Sequence, residues 1–162
     1  MQGVIVHITR DFKNIICPQR KFIKLVRVIC NRFGLASATV SIAIVANKHI
    51  RKLNVKFLNH KNVTDCLAFD LSDSKTGHRL LELVVNGEKA KSQAAKRGHP
   101  AQAELALYVT HGLLHNLGFD DLLPKKANKM HRLEDEILQQ QGFGLVYDSK
   151  RKIVPDKRRH KC

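Results

Sequence analysis

The sequence has no tryptophan, two tyrosines and seven phenylalanines, so aromatic rings cannot build its core and Leu, Val, Ile and Ala must. It has no apolar run near the roughly 20 residues that span a bilayer, which excludes a membrane helix. Met1-Gln2-Gly3 leads straight into a strand-like pattern, without the basic and apolar regions of a secretory leader. The cytoplasm is therefore the expected compartment. Four cysteines, Cys17, Cys30, Cys66 and Cys162, are widely spread and form no C-x-x-C pair. That spacing argues against a disulfide framework and for buried thiols. Acidic residues are also few, 14 against 29 Lys and Arg, which gives a formal net charge of +15. A field of that sign attracts polyanions, so nucleic acid or the ribosome is the expected partner. A membrane surface is not, because no basic amphipathic segment is free of an evident core role.

What is present reads as one globular domain of 162 residues, 43% hydrophobic and 27% charged. Strands are expected at Val4–Ile8, Thr39–Val45, Thr64–Leu71 and Leu80–Val85, from alternation and β-branched content. Pro18 opens a helix whose apolar face is Phe22, Leu25, Val26, Ile29, Cys30 and Phe33, and Gly34 ends it. A short helix spans about Lys48–Phe57, another Glu88–Arg97, and Pro100 starts a third through Leu117. The last of these is apolar nearly all round and so is expected at the centre of the fold. A final amphipathic helix uses Met130, Leu133, Ile137 and Leu138, with Gly142 as its cap. The fold class is thus α+β, a single-domain mixed sheet of about four strands packed with about five helices. The domain is expected over residues 1–148, followed by a basic tail over 149–162.

Polar side chains on a buried helix need partners. His111 and His115 stand four residues apart on one face of the central helix, where both imidazoles can reach one ion. Gly118 lets the chain leave the helix within a turn and fold an acidic donor back, with Asp120 and Asp121 as the candidates. The pattern is His111-Gly-Leu-Leu-His115-Asn-Leu-Gly118-Phe-Asp120-Asp121. Three protein ligands leave a position open for water, as in catalytic rather than structural zinc sites. Gly112 stands where a zincin carries Glu, so the built-in base of H-E-x-x-H is absent and a peptidase reading is weakened.

On these residues the sequence resembles the YbeY family of metal-dependent endoribonucleases of ribosomal RNA maturation. Their signature H-G-x-L-H-L-x-G-Y-D-H is followed through His111, Gly112, Leu114, His115, Gly118 and Asp120. A second family stretch, L-N-x-x-Y-R and then P-T-[DN]-V-L-S-F, is similar to Leu53-Asn54-Val55-Lys56-Phe57-Leu58 and Val63–Phe69. The resemblance runs from about Val4 to Gly142 and implies a zincin-like metal helix and a site at His111, His115 and Asp121. It implies one Zn2+ per chain, with Mn2+ or Mg2+ as lesser alternatives, and a single-stranded region near the 3′ end of small-subunit ribosomal RNA as substrate. The small ribosomal subunit is the implied partner, and quality control of ribosomes the wider role. Asp65 and Asp120 are the implied catalytic carboxylates, Asp120 as a group that orients a ligand, and Glu104 is a candidate for a similar part. Lys56, Lys61 and Thr64 are the expected substrate contacts. Two departures stand out. Asp121 replaces the family's third His, a tolerable change that lowers the site's charge by one and makes a bound water less acidic. Leu58 replaces its arginine and so removes a guanidinium suited to bidentate phosphate contact. A non-catalytic RNA or ribosome-associated metal factor therefore stays open as the alternative. A zincin-like peptidase, or a hydrolase of small phosphorylated metabolites, stands further off.

Overall fold

A computed structural model describes residues 3–59 and 63–144. His60, Lys61 and the 149–162 stretch expected as a tail fall outside the described residues. Among the described residues nine elements follow in order: β1 (Val4–Arg10), α1 (Gln19–Arg32), β2 (Ala38–Val45), α2 (Asn47–Leu58), β3 (Cys66–Asp70), β4 (Arg79–Asn86), α3 (Gly87–Arg97), α4 (Ala101–Asn116) and α5 (Pro124–Gln140). The four strands form one sheet in the order β1-β2-β4-β3. β1, β2 and β4 run parallel, and β3 closes one edge antiparallel to β4, with Cys66 opposite Val85 and Phe69 opposite Glu82. The expected α+β class with four strands and five helices is borne out.

Alternation decides which side of the sheet is filled. Val40, Ile42, Ile44, Leu81, Leu83 and Cys66 point to the face carrying α1, α3, α4 and α5, and join Phe22, Leu25, Ile29 and the α4 side chains in the main core. Each fully buried Leu, Ile or Phe stabilises that core by about 1.5–3 kcal/mol relative to exposure. The opposite face holds a smaller cluster of Val45, Ile50, Leu67 and Val84 beneath α2. Every residue of α4 from Ala103 to Leu114 is buried, which is why its sequence shows no polar face.

Boundaries differ from the sequence reading at two kinds of place. Pro18 and Pro100 are the extended residues before their helices rather than their first helical residues, with ψ of 105° and 143°. Thr64 and Asp65 precede β3, which begins at Cys66, although the Asn86 N–H still donates to the Asp65 carbonyl at 2.8 Å. Cys17, Cys30 and Cys66 are buried free thiols. Burial pushes the thiol pKa of Cys17 and of Cys30 up to about 11, against a smaller lowering by Arg10 and Arg79 respectively.

Candidate metal centre

α4 is pressed directly onto β3 and β4, and Gly112 is the reason it can be. A Cβ built at this position would stand 2.4 Å from the Cys66 Sγ and 3.1 Å from Leu83 Cδ2. Residue 112 therefore faces the sheet, and a glutamate there would have no room. The neighbouring position, 111, turns its side chain along the helix surface toward α5. One turn later His115 follows on the same stripe.

α4 ends at Asn116 with Leu117 as its C-cap, and Gly118 adopts a φ of +97°, a conformation that side chains with a Cβ resist. The Gly118 N–H reaches His115 O at 3.0 Å and the Phe119 N–H reaches Leu114 O at 3.1 Å, so the chain reverses sharply over the helix end. This reversal returns Asp121, 2% exposed, to the two histidines. Its Oδ2 lies 3.7 Å from His111 Nε2 and its Oδ1 3.7 Å from His115 Nε2.

The far side of each imidazole is fixed. His115 Nδ1 lies 3.0 Å from the Phe119 carbonyl, which can only accept, so the proton sits on Nδ1. His111 Nδ1 lies 3.0 Å from Glu134 Oε2 of α5, and the other oxygen of Glu134 lies 2.9 Å from His131 Nδ1. With both Nδ1 atoms engaged, the two Nε2 atoms face each other at 3.1 Å. Two lone pairs at that distance repel unless a cation lies between them. A tetrahedral site with bonds of about 2.0–2.1 Å puts neighbouring donors roughly 3.3 Å apart, so the spacing suits a metal ion. One donor atom from each of His111, His115 and Asp121 falls within 4.8 Å of the others. This is the pattern in which outer hydrogen bonds fix the tautomer and aim of ligating histidines.

The surroundings shift the two rings in opposite directions. Burial lowers the His111 pKa, but Glu134, with Asp65 and Asp121 behind it, outweighs burial and raises it to about 9. The His115 pKa is lowered, by burial first and then by His111. Glu134 is driven the opposite way to its burial, down to about 2, by His111 and His131.

The other expected site residues divide. Asp65 is 2% exposed, and its charge acts on His111, so it borders the triad. Thr64 comes with it but is itself buried, its carbonyl held by Asn86 Nδ2 at 3.2 Å. Asp120 turns outward: its carboxylate accepts from the Leu122 N–H at 3.2 Å and from Lys126 Nζ at 3.1 Å. Those bonds, the Lys126 one foremost, lower its pKa. Glu134 rather than Asp120 carries the hydrogen bond to the His111 ring. Glu104 sits two turns below His111 and is tied to Arg97 at 3.0 Å and His99 at 2.6 Å. Lys56 is exposed near the end of α2, its Nζ 5.3 Å from the Phe57 ring centroid. Glu134 and His131 escaped the sequence reading because they lie on another helix. The available signal was a carboxylate inside the apolar stripe Met130, Leu133, Ile137 and Leu138.

A mixed sheet with a buried helix that turns two anchored imidazoles and a carboxylate toward one point defines a class, the small α+β protein built round a candidate catalytic metal centre. Comparison with known proteins narrows it. Residues 7–142 match the family model described as Endoribonuclease YbeY, and the chain belongs to the YbeY family. A relative named Endoribonuclease YbeY from Carboxydothermus hydrogenoformans is 37% identical over 118 residues, covering 73% of this chain and 82% of its own. One from Myxococcus xanthus is 36% identical over 119 residues, covering 71% of this chain, which spans only 40% of that longer relative. One from Bacillus licheniformis is 30% identical over 131 residues, covering 74% and 83%. A solution structure of a Thermotoga maritima protein shares the fold, with a TM-score of 0.56 at 20% identity, over 92% of this chain and 99% of that one.

Proposed function

We propose that this chain is a metal-dependent endoribonuclease that cuts single-stranded RNA, with small-subunit ribosomal RNA near its 3′ end as substrate. The observation that carries the reading is the pair of His Nε2 atoms facing each other at 3.1 Å with both Nδ1 atoms anchored. Relatives named as endoribonucleases, and a formal charge of +15 suited to a polyanion, support it from outside the site.

In this reading His111, His115 and Asp121 hold one divalent ion, and two imidazoles with one carboxylate favour zinc. When bound, the ion supplies a Lewis acid and an open position at which water becomes more acidic. Glu134 holds the His111 ring by its Nδ1–H, and the Phe119 carbonyl holds the His115 ring in the same way. Asp65, beside the triad and not one of its donors, takes the proton from the attacking hydroxyl, whether of water or of the RNA 2′ position. Lys56, from the exposed end of α2, offsets phosphate charge. The ribosome's small subunit and a cytoplasmic setting complete the proposal. Among the described residues no helix is long and apolar enough to cross a membrane. A peptidase reading loses its last foothold at Gly112, where the sheet excludes the glutamate that such enzymes need.

Cleavage of a 3′ fragment of small-subunit ribosomal RNA is measured with wild type and Asp121→Ala, with metal content read on both. Wild-type cleavage that chelation abolishes, and that the substitution abolishes along with the metal, supports the proposal. Metal and RNA bound without cleavage would instead support a non-catalytic RNA factor.

A further inference from the structure

A second concave site lies at the other end of α4 from the metal centre. The segment after β1, the start of α4 and one side of α3 enclose a cleft of about 720 Å³, within the usual size range of small-ligand pockets. Arg10, Lys13 and Lys91 line it, and no carboxylate is among the described residues that do. Ala101 and Gln102, the first residues of α4, also line it, and no side chain caps that helix end. Backbone N–H groups so placed add to the positive field of the three cations.

Arg10 is held in the wall rather than waving in solvent, because its Nη2 donates to the carbonyls of Lys13 and Ile15. Its Nε is buried and has no hydrogen-bond partner among the described residues, and neither has Gln102 Oε1 in the same wall. Buried polar atoms left in that state mark a place where a ligand or water completes the bonding. The remaining wall is apolar. Ile15 is buried, while Ile16 is 74% exposed at the rim, an unusual position for a large aliphatic side chain beside three cations.

We propose that this cleft binds one nucleotide of a single-stranded RNA, its phosphate on Arg10, Lys13 and Lys91 and its base on Ile15 and Ile16. Cationic and apolar walls in one pocket match the two halves of a nucleotide better than either half alone. Ala101 and His111 are ten residues apart on α4, roughly 15 Å along its axis, so the contact is separate from the metal centre. The inference rests on RNA as the substrate. Its test therefore reads binding and not cleavage, so that failure here and failure of the nuclease reading remain distinguishable.

Affinity is read by fluorescence anisotropy of a labelled 2′-O-methyl single strand bound to the full chain. Lys13→Glu with Lys91→Glu is compared with Lys24→Glu on α1 and Lys75→Glu before β4, which change the net charge equally at exposed places outside the cleft and off α2. Thermal melting confirms that both proteins fold. The cleft variant is expected to weaken binding at least fivefold more than the control, and Ile16→Ser to weaken it severalfold with no change of charge. Equal losses in the two charge variants would overturn the proposal, because the effect would then be one of net charge. Competition separates the sources of the ligand. Displacement by AMP well below the concentration of inorganic phosphate needed supports a nucleotide site. Equal displacement by the two would overturn the role of the apolar wall.

Discussion

A methyl group added at Gly112 would sit 2.4 Å from the Cys66 Sγ, and neither the sheet nor the helix is free to yield there. Gly112→Ala should cost about 1–3 kcal/mol, as overpacking of a close helix–sheet contact does. Cys66→Ala removes the sulfur it strikes, so the double variant should lose less than the sum of the single losses, with a coupling of about 0.5–3 kcal/mol. Urea unfolding of the four proteins completes that cycle, and strict additivity would show that the clash is relieved elsewhere. At the same scale, Glu134→Gln keeps the size of the side chain and removes the charge that His111 Nδ1 meets. Zinc affinity, read by competition with a chromophoric chelator, should fall roughly 10–100-fold. An unchanged affinity would mean that the ring holds its aim without Glu134. The thiols give a pH test. Cys17 and Cys30 have folded pKa values raised to about 11, against 9.0 in an exposed thiol. Below pH 9 both states keep the proton. Between 9 and 11 the unfolded chain releases it and the folded one does not, so stability falls as pH rises through that window. At pH 8.5, iodoacetamide should label both residues in guanidinium and leave them intact in the folded protein, as mass spectrometry of the digests would show.

At the scale of elements, Asn86 is the junction on which the site's loop depends. It ends β4, its Oδ1 accepts the Lys89 N–H at 2.9 Å as the cap of α3, and its Nδ2 donates to Asn47 Oδ1 at 2.7 Å and to Thr64 O at 3.2 Å. Asn86→Ala removes a cap, at about 1 kcal/mol, and strips buried partners of a bond, at about 1–3 kcal/mol more. It should therefore lower stability by about 2–4 kcal/mol in denaturant titration and slow RNA cleavage through the displaced Asp65. Asn86→Asp keeps the acceptor for the α3 cap, so it should preserve helix content while still losing the hold on Thr64. The elements themselves were legible in the sequence because period and punctuation agree. Phe22, Leu25, Ile29 and Cys30 repeat at helical spacing, Thr39 to Val45 alternates, and Gly98 and Gly142 end their helices. The candidate triad was legible for the same reason, since His111, His115 and Asp121 lie within one helix and its terminal turn. Glu134 and the Asn86 junction were not, because each acts across 20 or more residues of chain, on a partner that only the packed fold brings near.

The whole molecule carries a charge that no single contact explains. A formal +15 on 162 residues creates a field that reaches beyond any pocket, but one that salt screens over about 8–10 Å near physiological strength. If RNA is the partner, counterion release should govern its affinity: a single strand that meets about five cations gives a slope of roughly −3.5 in log K against log salt. Residues 149–162 hold seven Lys or Arg and one Asp, six of the fifteen net charges. None of the three donors of the candidate metal centre lies among them, so charge and chemistry can be separated by removing that stretch. The shortened protein should keep its zinc stoichiometry and should lose RNA affinity most at low salt, with a shallower slope. Filter binding across 50–200 mM potassium chloride, with metal content read beside it, checks both halves. An unchanged slope would place the strand's contacts entirely on the domain, and the cleft beside Arg10, Lys13 and Lys91 would then carry a larger share of them. A loss of zinc with the stretch would instead mean that these residues support the fold around His111, His115 and Asp121, and that the charge cannot be treated apart from the site.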